Sequence, residues 1–270
     1  MLSSIVEMFS YDFIVRAFIV GIVISICAAL LGVVLVLRRN SMIGDGLSHV
    51  AFGAFAIATV LNLTPLYFAI PVAIIVSFLI LRLNQNSKIH GDSAIALVSA
   101  SALAIGVMAI SIIKGVNVDI NAYLFGSILS VTTSDLVISS ILGCIVILFF
   151  IFFYHRIFAI TIDETFAKSI GLKVNYYQAI LAIICSIVVV IGMKLLGSLL
   201  ISSLIIFPCL TSMHLFKNFR QVIISSAVIS VICFSVGLIA SYLFSTPTGA
   251  SVVIVNLVAY IICWLTSKLK

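Results

Sequence analysis

Asp45 and His49 stand four residues apart at the start of a long apolar stretch that reaches Leu63. In a helix, residues at this spacing share one face, with Cβ atoms about 5–6 Å apart. A carboxylate oxygen and an imidazole nitrogen so placed can bind one divalent ion, and these ligand types suit Mn²⁺, Zn²⁺ and Fe²⁺ alike. Both side chains are costly at membrane depth, so this pair is the first candidate for a functional site.

Two other interpretations of this pair stay open on the residues alone. A buried Asp–His hydrogen bond could simply fix a contact between helices, and the pair could also belong to a proton relay. Under the metal interpretation, two ligands leave a divalent ion under-coordinated. A twofold copy of the same helix face from a second subunit would bring four ligands together, which completes a tetrahedral site.

The composition predicts an all-α, polytopic membrane helical bundle. Of the 270 residues, 64% are hydrophobic and 8% are charged, as is typical of a chain with several membrane spans. No polar stretch is long enough for a soluble domain, so we expect residues 1–270 to form a single transmembrane domain. The basic residues stand at the ends of apolar runs, and the net charge of +6 therefore does not indicate nucleic-acid binding. No cleavable signal peptide is evident, so we expect the first span to direct the chain to the membrane.

The apolar runs predict about eight or nine membrane-spanning helices, because the break at 194–197 is weak. The approximate bounds are 13–37, 42–63, 65–83, 93–113, 134–154, 178–192, 197–216, 221–244 and 250–267. Residues 84–92 are predicted to form a polar loop that contains Lys88 and His90, and 115–126 a short or re-entrant helix on one membrane face. We expect Asp45 to be the only acidic residue well inside a span.

The distribution of Lys and Arg predicts the orientation of the spans. With nine spans and the N-terminus outside, only three of the 14 Lys and Arg residues (Arg16, Lys114 and Lys194) fall on the outer side. Because short cytoplasmic loops carry the excess of positive charge, we expect the C-terminus and the polar segment 155–177 to lie in the cytoplasm.

The polar segment 155–177 is the second candidate for a function. Thr161 or Asp163 could cap a short helix, with Ala167 in its middle and Gly171 at its end. A solvated connecting helix and a docking helix for a soluble partner both fit this segment. The chain lacks a Gly-x-x-x-x-Gly-Lys-Ser/Thr phosphate loop and a His-Glu-x-x-His motif. We therefore expect no enzyme activity in this chain, and the energy for any transport would come from a partner.

Six cysteines lie in six different apolar runs and form no Cys-x-x-Cys pair. Small buried residues in helix packing are the expected role, and a thiolate site for a soft metal is the alternative.

Five motifs occur in an order that resembles a known family. Leu37-Arg-Arg-Asn-Ser-Met-Ile-Gly-Asp45-Gly-Leu-Ser-His49 resembles the second-helix signature of the permeases of ABC importers for zinc, manganese and iron. The other motifs that agree in order are Gly91-Asp92-Ser-Ala-Ile, Ala122-Tyr-Leu-Phe-Gly126-Ser-Ile-Leu, Asp163-Glu164-x-Phe-Ala-Lys-x-x-Gly171-Leu, and Gly197-Ser-Leu-Leu-Ile-Ser-Ser-Leu-Ile-Ile-Phe-Pro208. Together these motifs span most of the chain, from Leu37 to Pro208.

The resemblance implies a type II ABC importer-like permease in the cell membrane, present as a homodimer. It implies two cytoplasmic ATP-binding subunits, an extracytoplasmic metal-binding protein and a transported divalent ion, with no permanent cofactor. Asp45 and His49 would then contribute to the metal path at the dimer interface. The coupling helix received by the ATPase would contain Asp163, Glu164, Phe166, Ala167 and Gly171.

One motif departs from the family pattern after Pro208, where small residues and often an arginine are common. This chain continues with Cys209-Leu-Thr-Ser-Met-His214, and we expect His214 to have a packing or interface role. Asp119 and Asn121 are expected to be polar residues of the outer face near the mouth of the path, not metal ligands.

Two rival functions remain beside the importer. A stand-alone metal channel or secondary transporter would call for inverted repeats or helices broken at mid-membrane, and the sequence shows no internal repeat. A membrane scaffold would use the Asp45–His49 pair only for packing. The ligand types do not distinguish manganese, zinc and iron.

Overall fold

The computed structural model describes residues 7–86, 91–112, 126 and 131–268. Every regular element in these residues is helical. The helices are α1 Asp12–Leu37, α2 Met42–Val60, α3 Pro65–Asn86, α4 Gly91–Ile112, α5 Thr133–Phe152, α6 Tyr154–Ile162, α7 Glu164–Ser169, α8 Val174–Leu196, α9 Ser198–Leu215, α10 Phe219–Phe244 and α11 Thr248–Lys268.

Nine helices of the described ranges, α1 to α5 and α8 to α11, are long and apolar enough to cross a membrane. The predicted fold class and span count are confirmed, and most helix ends lie within a few residues of the predicted bounds. α8 differs most, because it starts at Val174 and ends at Leu196. Its polar first turns, which the hydropathy pattern excluded, are anchored to the preceding segment, where Tyr177 packs with Ala167.

The segment between α5 and α8 holds two short helices where the sequence predicted one. α6 was not predicted as a helix; it buries Ile157 and Ile160 and exposes His155 and Arg156. A stretch of nine residues is too short to separate a helix from a loop by periodicity, and tertiary contacts decide the outcome.

Several predictions concern residues outside the described ranges. Lys88 and His90 of the predicted polar loop, and Asp119 and Asn121 of the predicted re-entrant piece, are among them. Of 115–126, only Gly126 is described.

The centre of the bundle is formed by α1, α2 and α8, which are mostly buried, whereas α4 and α11 lie at its periphery. Close contacts at this centre depend on glycine. At Gly53 of α2, an added Cβ would lie 2.5 Å from the carbonyl oxygen of Ala102 in α4. At Gly32 of α1, it would overlap the backbone of Ile205 in α9. Small residues at these crossings let the helix backbones approach, as is common in membrane bundles.

All six cysteines are free thiols. Four of them, Cys27, Cys185, Cys209 and Cys233, are buried on different helices among apolar neighbours. This placement agrees with the expected packing role for these four, whereas Cys144 is exposed and Cys263 is partly exposed.

Candidate metal path

Asp45 and His49 lie in the first two turns of α2. The connection 38–41 folds back along α1, where the backbone N–H of Asn40 donates to the carbonyl of Leu35. Gly32 of α1 and Gly44 of α2 both face Ile205. Gly32 precedes the end of α1 by five residues, or about 7.5 Å. Asp45 therefore lies at about this depth along the bundle, although it belongs to the first turn of its own helix.

The two side chains face each other without a hydrogen bond. His49 Nε2 lies 3.7 Å from Asp45 Oδ2, which is too long for a hydrogen bond. Two ligands bound to one zinc ion at about 2.1 Å in tetrahedral geometry would be separated by about 3.4 Å. The observed separation is therefore close to the one that a shared metal ion requires.

Neither side chain is fully satisfied by the described part of the protein. The Ser202 hydroxyl of α9 lies 3.0 Å from Asp45 Oδ1 and 3.0 Å from the carbonyl oxygen of Ser198, and its single proton is shared between these two acceptors. His49 Nδ1 is buried and has no hydrogen-bond partner in the described residues. Ser212 Oγ, Ser226 Oγ and Asn256 Oδ1 are likewise buried without a partner in these residues, so this atom does not by itself indicate an ion. The nitrogen that faces Asp45 is Nε2.

This pair lies on an open surface that we call the α2/α9 face, formed by Met42, Asp45, His49, Leu199, Ser202, Ile206 and Met213. Its residues recur at intervals of three, four and seven residues on two neighbouring helices, so those of each helix share one side. Met42 is 45% exposed and Leu199 is 41% exposed, although both are apolar. The face is thus an apolar surface with a carboxylate, an imidazole and a hydroxyl at its centre.

The described ranges contain no group of three or more His, Cys, Asp or Glu side chains that could hold a metal ion. His214, at the far end of α9, instead stacks near Tyr260 of α11 with ring centroids 5.5 Å apart, which agrees with its expected packing role.

The segment predicted to dock a partner has the predicted helix and caps. The Asp163 carboxylate accepts a 2.9 Å hydrogen bond from the Phe166 N–H, so Asp163 is the N-cap of α7. Ala167 is fully buried. Gly171 takes φ +82° after the last turn, a conformation that favours glycine at a helix end. Phe166 is 57% exposed, which leaves an apolar side chain on the free side of α7.

Glu164 lies at the centre of a charged cluster that the sequence did not predict. We call this group, Glu164 with Arg38, Lys168 and Gln178, the Glu164 cluster. Glu164 Oε2 accepts from Arg38 Nη2 at 2.8 Å and from Gln178 Nε2 at 2.9 Å, and Oε1 lies 2.7 Å from Lys168 Nζ. The hydrogen bond from Lys168, the nearby Arg38 charge and the Gln178 amide lower the pKa of the Glu164 carboxyl, against the opposing effect of burial. The cluster ties α7 to the chain just before α2.

A second charged pair joins α5 and α8. Lys194 Nζ lies 2.6 Å from Asp135 Oδ1, and Asp135 also exchanges capping hydrogen bonds with Thr132 at the start of α5. Asp135 is the second residue of the predicted span 134–154. The structure agrees, and adds that its side chain is only 6% exposed, far less than that of Asp45.

Residues 10–267 match the family described as the ABC 3 transport family. The chain belongs to this family. It is 30% identical to the manganese import system permease protein ScaB of Streptococcus gordonii, over 93% of this chain and 90% of that protein. It is 28% identical to the high-affinity zinc uptake system membrane protein ZnuB of Haemophilus influenzae, over 93% of this chain and 97% of that protein.

A solved structure shares the architecture of this family member. The chain superimposes on PsaBC from Streptococcus pneumoniae, solved in complex with a Fab, with a TM-score of 0.87 and 29% identity. The match covers 98% of this chain and 95% of the other. The predicted fold, a membrane helical bundle like the permeases of ABC importers, is confirmed.

Proposed function

We propose that this chain is the membrane-spanning permease of an ATP-driven importer of manganese or zinc, with iron as a further candidate cargo. Its whole length, 1–270, would form a single transmembrane domain, and 155–177 would form the cytoplasmic coupling segment. Two relatives that align over nearly the whole chain are named for the import of manganese and of zinc. The oxygen and nitrogen ligands of Asp45 and His49 suit both ions.

The observation that carries the metal path is the geometry of Asp45 and His49. Their facing ligand atoms, Asp45 Oδ2 and His49 Nε2, are 3.7 Å apart, which is too long for a hydrogen bond and close to the separation of two ligands on one ion. A pair selected for packing would close into a short hydrogen bond. A pair that holds a cargo ion for a short time must keep its lone pairs free, and it must bind weakly enough to release the ion.

The α2/α9 face supports a permease dimer. Two ligands per chain leave an ion under-coordinated, and a second copy related by a twofold axis would repeat the same face across the interface. Four ligands, two from each copy, would then surround an ion on the axis. The apolar rim of the face would bury the contact between the two copies.

We propose that an ATP-binding subunit acts through α7. The exposed Phe166 and the capped start of α7 would fit a groove on the cytoplasmic partner, and Ala167 would hold the helix against the bundle. A shift of α7 would be passed through the Glu164–Arg38 ion pair to the connection 38–41, and from there to the first turn of α2. This route links nucleotide binding to the position of Asp45 and gives alternating access.

The remaining partners follow from the direction of transport. An extracytoplasmic metal-binding protein would deliver the ion to the outer end of the bundle, where Lys194 and Asp135 lie. The cell membrane is the proposed location, with the N-terminus outside and the C-terminus in the cytoplasm. The excess of Lys and Arg on the α7 side supports this orientation.

The test is metal uptake by cells that express this chain together with its ATP-binding subunit and its metal-binding protein. Radioactive manganese and zinc are measured separately for the wild type, Asp45→Asn and His49→Ala. Asp12→Asn is the matched control, because it removes an exposed acid at the outer start of α1. We expect uptake of one ion to be lost in both path variants and kept in the control.

Two results would contradict the proposal. Normal uptake in both path variants would return Asp45 and His49 to a packing role. Uptake that persists without the ATP-binding subunit, or with an inactive one, would favour a channel or secondary transporter. Assembly of the complex is checked in every variant by co-purification, so that a folding defect is not mistaken for a loss of transport.

A further inference from the structure

A deep groove lies between α5 and α10, on a different side of α1 from the α2/α9 face. Both helices pack against α1, and the groove between them has a volume of about 460 Å³. Leu30, Phe150 and Ile223 are mostly buried and form its floor. A volume of this size matches the range of small-molecule sites in proteins.

The mouth of the groove opens on the lipid-facing surface of the bundle. Ile151 is 65% exposed and Ile224 is 55% exposed, and they form the two lips. The neighbouring outward positions Phe152 and Val228 are exposed and apolar as well. Large apolar side chains on the outside of a membrane-spanning helix contact acyl chains, so the groove is continuous with the hydrocarbon region.

One end of the groove is polar and basic. Tyr154, His155 and Arg220 line it there, where α6 meets the start of α10. The Arg220 side chain is exposed, and within the described ranges it has no salt bridge or side-chain hydrogen bond. No acidic side chain lines the groove. The Glu164 cluster does not supply a partner for Arg220, because Glu164 is bound by Arg38, Lys168 and Gln178.

The geometry points to a binding site for one anionic phospholipid. We propose that its phosphate lies against Arg220 and His155, and that one acyl chain fills the groove over Leu30 and Phe150. Basic pockets between membrane helices at the membrane surface are suited to anionic headgroups. Leu30 lies seven residues, or about 10 Å along the helix, from the end of α1, so the groove runs from the headgroup level into the apolar layer.

The charge and shape of the groove favour a lipid over a second copy of the chain. Its end is positive, and the exposed charged residues next to Arg220 and His155 along the chain, Lys217 and Arg156, are basic. A twofold contact would bring like charges together at this surface, which is unfavourable. The proposed orientation of the chain decides only which leaflet supplies the lipid, and the site itself does not depend on the proposed cargo.

Thermal unfolding of the purified full-length protein tests this site. The protein is titrated with phosphatidylglycerol and with phosphatidylcholine of identical acyl chains, and bound lipid is counted by native mass spectrometry. The variants are Arg220→Gln, which removes the headgroup contact, and Ile151→Trp, which narrows the mouth. Lys173→Gln is the matched control, because it removes an exposed positive charge at the same end of the bundle but outside the groove.

We expect phosphatidylglycerol to stabilise the wild type more than phosphatidylcholine does. Arg220→Gln should weaken phosphatidylglycerol binding about fivefold, the effect of one basic residue at an anionic surface. Ile151→Trp should reduce the number of bound lipids, and Lys173→Gln should behave like the wild type.

Several outcomes would overturn the proposal. Equal stabilisation by both lipids would show that the basic end of the groove does not recognise the anionic headgroup. An equal loss in Lys173→Gln would show a general charge effect. Equal stabilisation by glycerol phosphate alone would remove the role of the apolar groove. A change of oligomeric state in Ile151→Trp with unchanged lipid binding would assign the groove to a contact between copies of the chain.

Discussion

Asp45 and Glu164 are exposed to nearly the same degree, at 40% and 36% of the side chain, yet their surroundings differ. Both oxygens of Glu164 are occupied, by three partners at 2.7–2.9 Å. Asp45 has one hydroxyl donor from another helix and an imidazole at 3.7 Å. Exposure therefore does not separate the two acids, whereas the number and distance of their partners do.

This difference separates a carboxylate that joins helices from one that can bind a cargo ion. Asp135, held by Lys194 and by its own capping hydrogen bonds, belongs with Glu164. Closed acids should contribute to the stability of the fold, because each leaves a charged partner unpaired when it is removed. An open acid should contribute little to stability and much to transport. Each of the following changes tests one side of this comparison.

The largest loss of stability is expected at the pair with the most buried acid. Lys194→Gln leaves the Asp135 carboxylate, 6% exposed, with only its capping hydrogen bonds. We expect a loss of about 2 kcal/mol, below the full cost of breaking a buried ion pair because Lys194 itself is partly exposed. Thermal unfolding of the purified protein, followed with a dye that reacts with newly exposed thiols such as Cys185, measures this loss.

Asp45→Asn is the matched comparison in the same assay. Its unfolding free energy should stay within about 0.5 kcal/mol of the wild type, as for a change away from any satisfied network. If Asp45→Asn destabilised the protein as much as Lys194→Gln, the distinction between open and closed acids would be wrong.

The next largest effect is expected in the Glu164 cluster. Glu164→Gln and Arg38→Gln should each cost about 1 kcal/mol, because Glu164 is partly screened by solvent. The double variant should cost less than the sum of the two, since each single change already breaks the same ion pair. Uptake should fall in all three variants if the ion pair transmits the movement of α7. If the losses of unfolding free energy were strictly additive and uptake were unchanged, the cluster would not transmit the movement of α7.

Ser202→Ala tests the open side of the comparison more finely. The Ser202 hydroxyl orients Asp45 Oδ1 and leaves Oδ2 toward His49. One such hydrogen bond contributes about 0.5–1.5 kcal/mol, so the metal concentration for half-maximal uptake should rise about two- to tenfold. Ser203→Ala, whose hydroxyl bonds to a carbonyl of its own helix, is the control. An equal effect of both changes would show a general disturbance of α9.

The features that the sequence predicted correctly are local ones. The N-cap at Asp163 and the positive φ at Gly171 depend on residues within one or two turns. Asp45 and His49 face each other because they are four residues apart on one helix. The membrane spans were predicted from runs of apolar residues, and this signal does not depend on tertiary contacts.

The features that the sequence did not predict join distant parts of the chain. Ser202 lies 157 residues from Asp45, and Glu164 lies 126 residues from Arg38. Which helix packs beside α2 depends on close contacts such as those of Gly32 and Gly44 with Ile205, and a single sequence does not specify such pairs. The sequence also did not predict α6, which lies in a long polar segment. The burial of α6 depends on contacts with Phe219 of α10.

The smallest expected effect is the pH dependence that Glu164 adds to stability. The hydrogen bond from Lys168, together with the Arg38 charge and Gln178, lowers the pKa of Glu164 below its ordinary value of 4.5. The folded state therefore binds the proton more weakly than the unfolded state does, and the ionised carboxylate stabilises the fold. This contribution is complete above about pH 4.5 and is lost as the pH falls through the lowered pKa. Comparing the unfolding of the wild type with that of Glu164→Gln from pH 7 to pH 3 isolates it, since the other groups titrate in both proteins. The stability difference should shrink at the acid end, and a difference that stays constant or grows would mean that Glu164 joins the helices by shape rather than by charge.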